Sequence, residues 1–270
     1  MFWLRKQLAG PISYSPGGVI DIFTVLLNLL LGAALGSLGG LFGIGGGLIA
    51  IPALGVLFGL DQQMAQGTAL VMVVPNVMIA LWRYHQRNPI DHRHALALGV
   101  SGLLSALLAS LVAVQLDARS MRLAFVGFLL ALAAFNLWRL FRQLPAGGQQ
   151  LRFAWPWLIP LGALSGLLGG LFAVGSAVLA TPSLTAIFGV SQVIAQGLSL
   201  SLALPATSVT LLAYAAHGEV DWSIGLPLAI GGLASISWGV KLAHALPDRL
   251  LRQLFCVFLL VCAVLLGLRV

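Results

Sequence analysis

The run Gly43-Ile44-Gly45-Gly46-Gly47 has the residue types needed to hold a small anion on backbone groups. Glycine allows a tight turn and lets a ligand approach the main chain closely. The first N–H groups of a following helix are unpaired and carry partial positive charge, which suits an anion. No Gly-Lys-Ser/Thr follows the run and no strand precedes it, so it is not a nucleotide-binding phosphate loop. We predict that Gly45, Gly46 and Gly47 line an anion site.

Two further polar steps lie at the starts of later apolar segments. Gln66-Gly67-Thr68 repeats the arrangement, with Thr68 as the expected helix cap, and Gln196-Gly197-Leu198-Ser199 does so again. Pro75-Asn76 and Pro205 interrupt their segments near the middle and free backbone groups for a cavity. The predicted substrate-binding residues are therefore Gly45, Gly46, Gly47, Gln66, Gly67, Thr68, Asn76, Gln196, Gly197 and Ser199.

Small residues also let membrane helices pack closely, and this competing interpretation is favoured at several glycines. It applies to Gly36, Gly39, Gly40, Gly166, Gly169 and Gly170. The aromatic residues near segment ends, Tyr84 and Tyr214 among them, are interpreted as anchors at the membrane surface.

Fixed charge is placed at the ends of the apolar segments. The acidic residues all fall there, and no Lys or Arg lies deep in a segment (the acids are Asp21, Asp61, Asp91, Asp117, Glu219, Asp221 and Asp248). Cation carriers usually place a carboxylate or histidine at depth, so a cation carrier is disfavoured unless it works with carbonyl groups alone. His85, His92 and His94 indicate a solvated basic loop rather than a metal site. No Ser-His-Asp or HExxH pattern occurs, so we expect neither an enzyme nor a cofactor.

Composition places these residues in a bilayer. Of the 270 residues, 60% are hydrophobic and 8% charged, with a mean hydropathy of +1.03, whereas soluble domains carry about 25% charged residues. A soluble enzyme, a nucleic-acid binder and a secreted disulfide scaffold are excluded. The net charge of +7 is attributed to loops that face anionic lipid headgroups. The expected fold is an all-α polytopic membrane protein of eight to ten helical segments.

The chain divides into two halves that we interpret as a repeat. The predicted boundaries are an N-terminal tail at 1–21, a first membrane repeat at 22–141, a linker at 142–156 and a second membrane repeat at 157–270. A shift of 130 residues aligns the halves without a gap, pairing Pro52 with Pro182, Gln66 with Gln196, Pro75 with Pro205, Tyr84 with Tyr214, and Asp91 with Asp221.

Five segments per half is an odd number, so the halves are expected to be inverted in the membrane. The loop at 83–94 carries three arginines, whereas its equivalent at 214–222 carries no Lys or Arg, which predicts opposite sides and both termini outside. Alternatively, the short segments 44–60 and 174–190 are re-entrant, eight segments span, and the termini lie inside. We favour ten crossings.

Several motifs resemble the sulfite exporter TauE/SafE family over about residues 22–268. They are GIGGGLIAIPAL (43–54), Ala65-Gln66-Gly67-Thr68, Asn88-Pro89-Ile90-Asp91 with Gly218-Glu219-Val220-Asp221, and the segment from Ala245 to Arg252. The second half departs from the first, because Gly175-Ser176-Ala177 replaces the glycine triplet and Leu198 stands where Thr68 does.

The resemblance implies a carrier of the bacterial inner membrane, with a small inorganic or organosulfur anion and membrane lipids as partners. We expect a secondary transporter that exports sulfite or organosulfonates and binds them at helix N-termini between the halves. Two alternatives stay open: an accessory or assembly protein that transports nothing, and a carbonyl-lined cation or metal carrier. A homo-oligomer also stays open, and no nucleic acid is expected.

Overall fold

The computed structural model describes residues 22–88, 90–141, 148 and 151–267, and within these it is helical. The expected tail at 1–21 and most of the linker at 142–156 lie outside the described residues. The ten helices are α1 (Ile22–Phe42), α2 (Gly47–Phe58), α3 (Gln62–Arg87), α4 (His92–Ala113), α5 (Ala118–Phe141), α6 (Leu158–Phe172), α7 (Ala177–Ala186), α8 (Gln192–Ala216), α9 (Trp222–Ala245) and α10 (Asp248–Gly267).

Seven of these segments are long and apolar enough to cross a membrane, so the all-α, multi-pass prediction is confirmed. They are Thr24–Phe42, Gln62–Arg87, His92–Ala113, Ala118–Trp138, Trp155–Phe172, Gln192–Ala216 and Trp222–Ala245. α2 and α7 have 12 and 10 residues, which gives lengths of about 18 and 15 Å. Each covers only about half of a hydrocarbon core that is about 30 Å thick.

Acidic residues start several helices, which explains why they fall at segment ends. The side chain of Asp61 accepts a hydrogen bond from Met64 N at the start of α3. Asp91, Asp117 and Asp221 cap α4, α5 and α9 in the same way. A carboxylate there satisfies unpaired N–H groups and complements the positive end of the helix dipole.

Glycine faces join the first helix of each half to the fourth helix of the other. On α1, Gly32, Gly36 and Gly40 lie so close to the α9 backbone that a Cβ would overlap it. Gly162, Gly166 and Gly170 of α6 meet α4 equally closely. The packing interpretation therefore holds for Gly36, Gly40, Gly166 and Gly170. Residue numbers rise together along both contacts, so α1 runs parallel to α9, and α6 runs parallel to α4.

The long helices α3 and α8 run antiparallel. Gln66 near the start of α3 bonds Tyr214 near the end of α8, and Tyr84 near the end of α3 bonds Gln196 near the start of α8. Eight spans with α2 and α7 left out would make these two helices parallel, so the observed direction favours ten crossings. The duplication and its inversion across a membrane stay predictions.

Candidate functional site

Three left-handed glycines reverse the chain between α1 and α2. Gly43, Gly45 and Gly46 have φ of 66°, 73° and 93°, a conformation that glycine adopts without strain. The backbone N–H groups of Ile44 and Gly45 donate to Gly39 O at 3.0 and 3.3 Å, which closes the turn. α2 then starts at Gly47, beside the middle of α3, where a Cβ on Gly47 would lie 2.8 Å from Val73 Cγ2.

The second half builds a similar turn between α6 and α7 from less permissive residues. Gly175 has a φ of 85°, and Ala173 has a φ of 54° and is the one non-glycine residue with positive φ in the described part of the chain. Such backbone strain costs on the order of 1 kcal/mol and is concentrated at functional sites. Ala173 occupies the position that Gly43 has in the first half.

The two turns contact each other inside the protein. A Cβ on Gly47 would lie 3.5 Å from Ala173 O, and a Cβ on Gly175 would lie 3.4 Å from Ile44 O. Residues 41–48 and 172–178 are all buried. The starts of α2 and α7 therefore meet in the interior.

Both helix starts lack the side-chain cap that α3, α4, α8 and α9 possess. Gly46 precedes α2 and Ser176 precedes α7, and neither makes a side-chain capping bond. The first N–H groups of each helix therefore add partial positive charge to a buried region. Among the side chains that the structure describes, no acidic or basic residue is buried there or elsewhere. The centre can accept an anion on dipoles, without a fixed counter-charge.

Asn76 is brought to this centre. Its Nδ2 donates to Gly45 O at 3.4 Å, and its Oδ1 is buried without a hydrogen-bond partner. The same side chain lies tightly against Gly232 of α9. Of the predicted site residues, the structure thus gathers Gly45, Gly46, Gly47 and Asn76. Gln196 borders the same turn, because a Cβ on Gly43 would lie 2.8 Å from Gln196 Cβ.

A family comparison covers almost all of this architecture. The model of the sulfite exporter TauE/SafE family matches residues 28–266. The chain belongs to this family. Its membership agrees with a bacterial inner membrane and supports a membrane transporter.

Relatives of the TauE/SafE chain carry the same general name. A "Probable membrane transporter protein" of Xylella fastidiosa (strain 9a5c) is 28% identical over 249 residues, covering 90% of this chain and 93% of the relative. Proteins with that name from Methanocaldococcus jannaschii and Bacillus subtilis are 27% and 21% identical, covering 85% and 90% of this chain and 91% and 95% of the relatives. The matches cover most of this chain and nearly all of each relative, but the names of the relatives state no substrate.

In this TauE/SafE chain the two glutamines lie apart rather than in one site. Gln196 accepts from Tyr84 Oη at 2.8 Å and donates through Nε2 to Leu41 O at 3.2 Å. Gln66 accepts from Tyr214 Oη at 2.9 Å, and its Nε2 has no partner. Eighteen residues along α3 separate the two pairs by about 27 Å. Pro75 lies midway between Gln66 and Tyr84, so each pair lies about half of the 27 Å from Pro75, measured along α3.

Two tyrosines that bond the glutamines are buried, although the sequence places them near segment ends. Tyr84 and Tyr214 are both 0% exposed, so the expectation of membrane-surface anchors is wrong for them. Tryptophans near segment ends fit that expectation better, since Trp82 and Trp222 are about half exposed. The available signal was the repeat, which aligns Tyr with Tyr and Gln with Gln at fixed spacing.

Gly67, Thr68 and Gly197 make packing contacts, whereas Ser199 is buried with a hydroxyl that has no hydrogen-bond partner. Thr68 is not the cap of α3, because the helix starts at Gln62 with Asp61 as its cap, and Thr68 Oγ1 instead accepts from Asp221 N at 2.9 Å. Gly67 lies directly against the Glu219 backbone. In α8, Gly197 lies 3.6 to 3.8 Å from Ile90 and Tyr84, measured from the position of a Cβ.

Proposed function

We propose that this chain is a secondary transporter that exports small sulfur oxyanions, sulfite or organosulfonates. The anion binds where α2 and α7 start, between the two halves. The observation that carries the proposal is the meeting of two buried, uncapped helix starts. At α7 the Val178 N–H donates to Gly175 O at 3.2 Å, and the other N–H groups of the two first turns can donate to an anion.

The carbonyl groups near the centre argue against the cation carrier. At the end of α1, Leu41 O accepts from Gln196, and Gly40 O lies 3.2 Å from the Tyr84 hydroxyl, whose one proton is shared with Gln196 Oε1. Gly45 O accepts from Asn76. A cation would have to compete with these donors for oxygen ligands, and no buried carboxylate among the described residues would neutralise it.

If the chain were an accessory protein that transports nothing, its buried polar atoms without hydrogen-bond partners would have no explanation. Several buried side-chain atoms have no hydrogen-bond partner, and native proteins keep few such atoms because each costs about 1–3 kcal/mol. A transporter explains those that are hydroxyl donors near the two turns, such as Ser176 Oγ, as contacts made when the anion is bound. Sulfur chemistry and the export direction come from the family and are part of the proposal.

Each predicted site residue receives a role in the proposal. Gly45, Gly46, Gly47 and Asn76 form the first-half side of the site, and Ser199 belongs to the second-half side. Gln66 and Gln196 act with Tyr214 and Tyr84 as gates, one beyond each side of the centre. Gly67, Thr68 and Gly197 hold the surrounding elements together.

Alternating access then follows from breaking one gate at a time. Each Tyr–Gln bond fastens α3 to α8 near one end, while Pro75 and Pro205 lie midway between the gates in their helices. A proline lacks the N–H that would stiffen the helix there, so each helix can bend at its middle. Opening of the Tyr84 gate exposes the site to one side, and opening of the Tyr214 gate exposes it to the other.

Reconstitution tests the proposal. Purified protein in vesicles loaded with sulfite, or with a short alkyl sulfonate, is expected to release the anion down its gradient faster than protein-free vesicles do. Cation flux without anion flux would instead establish the carbonyl-lined carrier. Absence of any flux from correctly folded protein would favour the accessory protein.

A further inference from the structure

Four buried hydroxyl groups on α6, on α8 and in and just before α7 have no hydrogen-bond partner. Ser165, Ser176, Thr181 and Ser199 are each 2% exposed or less, and the Oγ or Oγ1 atom of each is unpaired. Other buried hydroxyls in the same region are satisfied within their own helix. Thr207 and Thr210 of α8 donate to Ala203 O and Ala206 O at 2.7 and 2.8 Å. Ser165, Thr181 and Ser199 lie inside helices and forgo this bond, although a helical serine or threonine can ordinarily make it. Ser176 precedes α7 and makes no capping bond.

The four side chains belong to three helices that pack against one another, α6, α7 and α8. Ser176 Oγ lies against Gly169 of α6, and Ser165 is one turn away from Gly169 on the same face. Gly175 lies 3.8 Å from Thr207 Cγ2, measured from the position of a Cβ. Thr181 lies six residues after Gly175 along α7, and Ser199 lies eight residues before Thr207 along α8. Because α7 runs back toward the start of α8, these two side chains reach a similar depth.

The first half has no counterpart of this set. A shift of 130 residues aligns the four hydroxyl residues with Leu35, Gly46, Ile51 and Ala69, none of which carries a polar side chain. Two symmetric helix starts would bind an anion equally from both halves. Because the unsatisfied hydroxyls among the described residues lie in the second half alone, these hydrogen-bond donors lie near α7 and not near α2.

We propose that Ser165, Ser176, Thr181 and Ser199 form an oxyanion subsite in the second half, beside the N-terminal half of α7. Their O–H groups donate to the oxygen atoms of the anion, while the first half contributes backbone N–H groups and the second N–H of the Asn76 amide. The subsite rests on the proposed anion transport and assigns its side-chain donors. A neutral donor set suits a small oxyanion with several acceptor oxygens, and it holds that anion without a salt bridge.

Thr181→Val and Ser199→Ala in the full chain test the subsite, with Thr210→Val as the matched control. Each test variant removes one unpaired hydroxyl at nearly constant shape, whereas Thr210→Val removes a buried hydroxyl that its own helix satisfies. With sulfite as the probe in vesicles, we expect the KM to rise about tenfold in each test variant. The KM of Thr210→Val should stay within about twofold of the unchanged protein.

Thermal unfolding in detergent supplies a second readout. Without sulfite, Thr181→Val should unfold at a higher temperature than the unchanged protein, because an unsatisfied buried hydroxyl has been removed. Sulfite should raise the Tm of the unchanged protein and of Thr210→Val more than that of Thr181→Val. Sulfite transport with an unchanged KM in both test variants would overturn the subsite and leave the proposed function intact. Failure of the unchanged protein to transport or bind sulfite and alkyl sulfonates would overturn the proposed function itself.

Discussion

The hydroxyl group of Tyr84 donates a 2.8 Å hydrogen bond to Gln196 Oε1 and so fastens the end of α3 to the start of α8. Tyr214 and Gln66 form the equivalent bond at 2.9 Å with the helices exchanged. The two ends differ in their other contacts, because Gln196 Nε2 also donates to Leu41 O whereas Gln66 Nε2 has no partner. The Tyr84 end therefore has the more complete hydrogen-bond network.

That difference predicts unequal effects of removing the two hydroxyl groups. Tyr84→Phe should lower the free energy of unfolding by about 1–3 kcal/mol, since Gln196 Oε1 loses its donor in a buried setting. Tyr214→Phe should lower it less, because its second contact, to Leu171 O, is already long at 3.4 Å. Thermal unfolding in detergent measures both. A double-mutant cycle with Gln196→Leu should give coupling of about 0.5–3 kcal/mol for Tyr84→Phe, and additive effects would show that the bond contributes nothing.

The arrangement of the loops predicts opposite labelling of two engineered cysteines. Gln86 and His217 are both exposed, and they lie at the ends of α3 and α8, beyond the two gates. In a background without Cys256 and Cys262, Gln86→Cys should react with an impermeant thiol reagent only from the cytoplasm, because its loop is rich in arginine. His217→Cys should react only from outside. Labelling of both from one side would contradict the ten crossings and the inverted halves.

Two carboxyl groups outside the spanning helices predict opposite effects of pH on stability. Burial raises the pKa of Glu219, and the charge of Asp61 raises it further while His217 opposes them. Hydrogen bonds from Ser120 lower the pKa of Asp117. A raised folded pKa means that ionised Glu219 destabilises the fold, and a lowered one means that ionised Asp117 stabilises it.

Glu219→Gln should therefore raise the Tm at neutral pH, and Asp117→Asn should lower it. For Glu219→Gln, the difference should shrink as the pH falls through the raised pKa and vanish below the ordinary carboxyl pKa, where the group is neutral in both states. For Asp117→Asn, the difference should be full above the ordinary carboxyl pKa, decline as the pH falls below it, and vanish once the pH has fallen through the lowered pKa. Unfolding curves of the three proteins at a series of pH values measure this. Shifts of the same sign in both variants would contradict the assigned causes.

Much of the fold follows from the sequence, but the start of α3 does not. Apolar composition places the third segment at about residue 67, whereas the helix begins at Gln62 and buries Gln62, Gln63 and Gln66. Hydropathy treats glutamine as a residue that avoids lipid, and it does not register amide groups satisfied by the protein itself, as Gln63 is by Leu116 O. A helix start near residue 67 makes Thr68 the expected cap, whereas the observed start makes Asp61 the cap.

The glycine turn at the centre of the candidate site could be predicted from the sequence more readily than the tyrosines and the serine near it. Glycine at three positions of one turn requires a special backbone, and the structure has positive φ at Gly43, Gly45 and Gly46. Whether a tyrosine near a helix end faces lipid or protein depends on tertiary packing, which periodicity does not encode. In the sequence, Ser176 stands out only because it replaces a glycine of the first half. That its hydroxyl lacks a hydrogen-bond partner follows only from the three-dimensional structure.

Two glycines of similar sequence context provide the sharpest test of the turn. Gly46→Ala places a methyl group 2.7 Å from Leu35 O at a residue with a φ of 93°, so both space and backbone oppose it. Gly55→Ala, inside α2, has Leu60 O as its nearest neighbour at 3.8 Å and favours the helix by about 1 kcal/mol. We expect Gly46→Ala to lose most sulfite efflux from vesicles and to unfold at a lower temperature. Gly55→Ala should transport normally, which separates the turn geometry from any general sensitivity of α2, and equal efflux from both variants would remove Gly46 from the anion site.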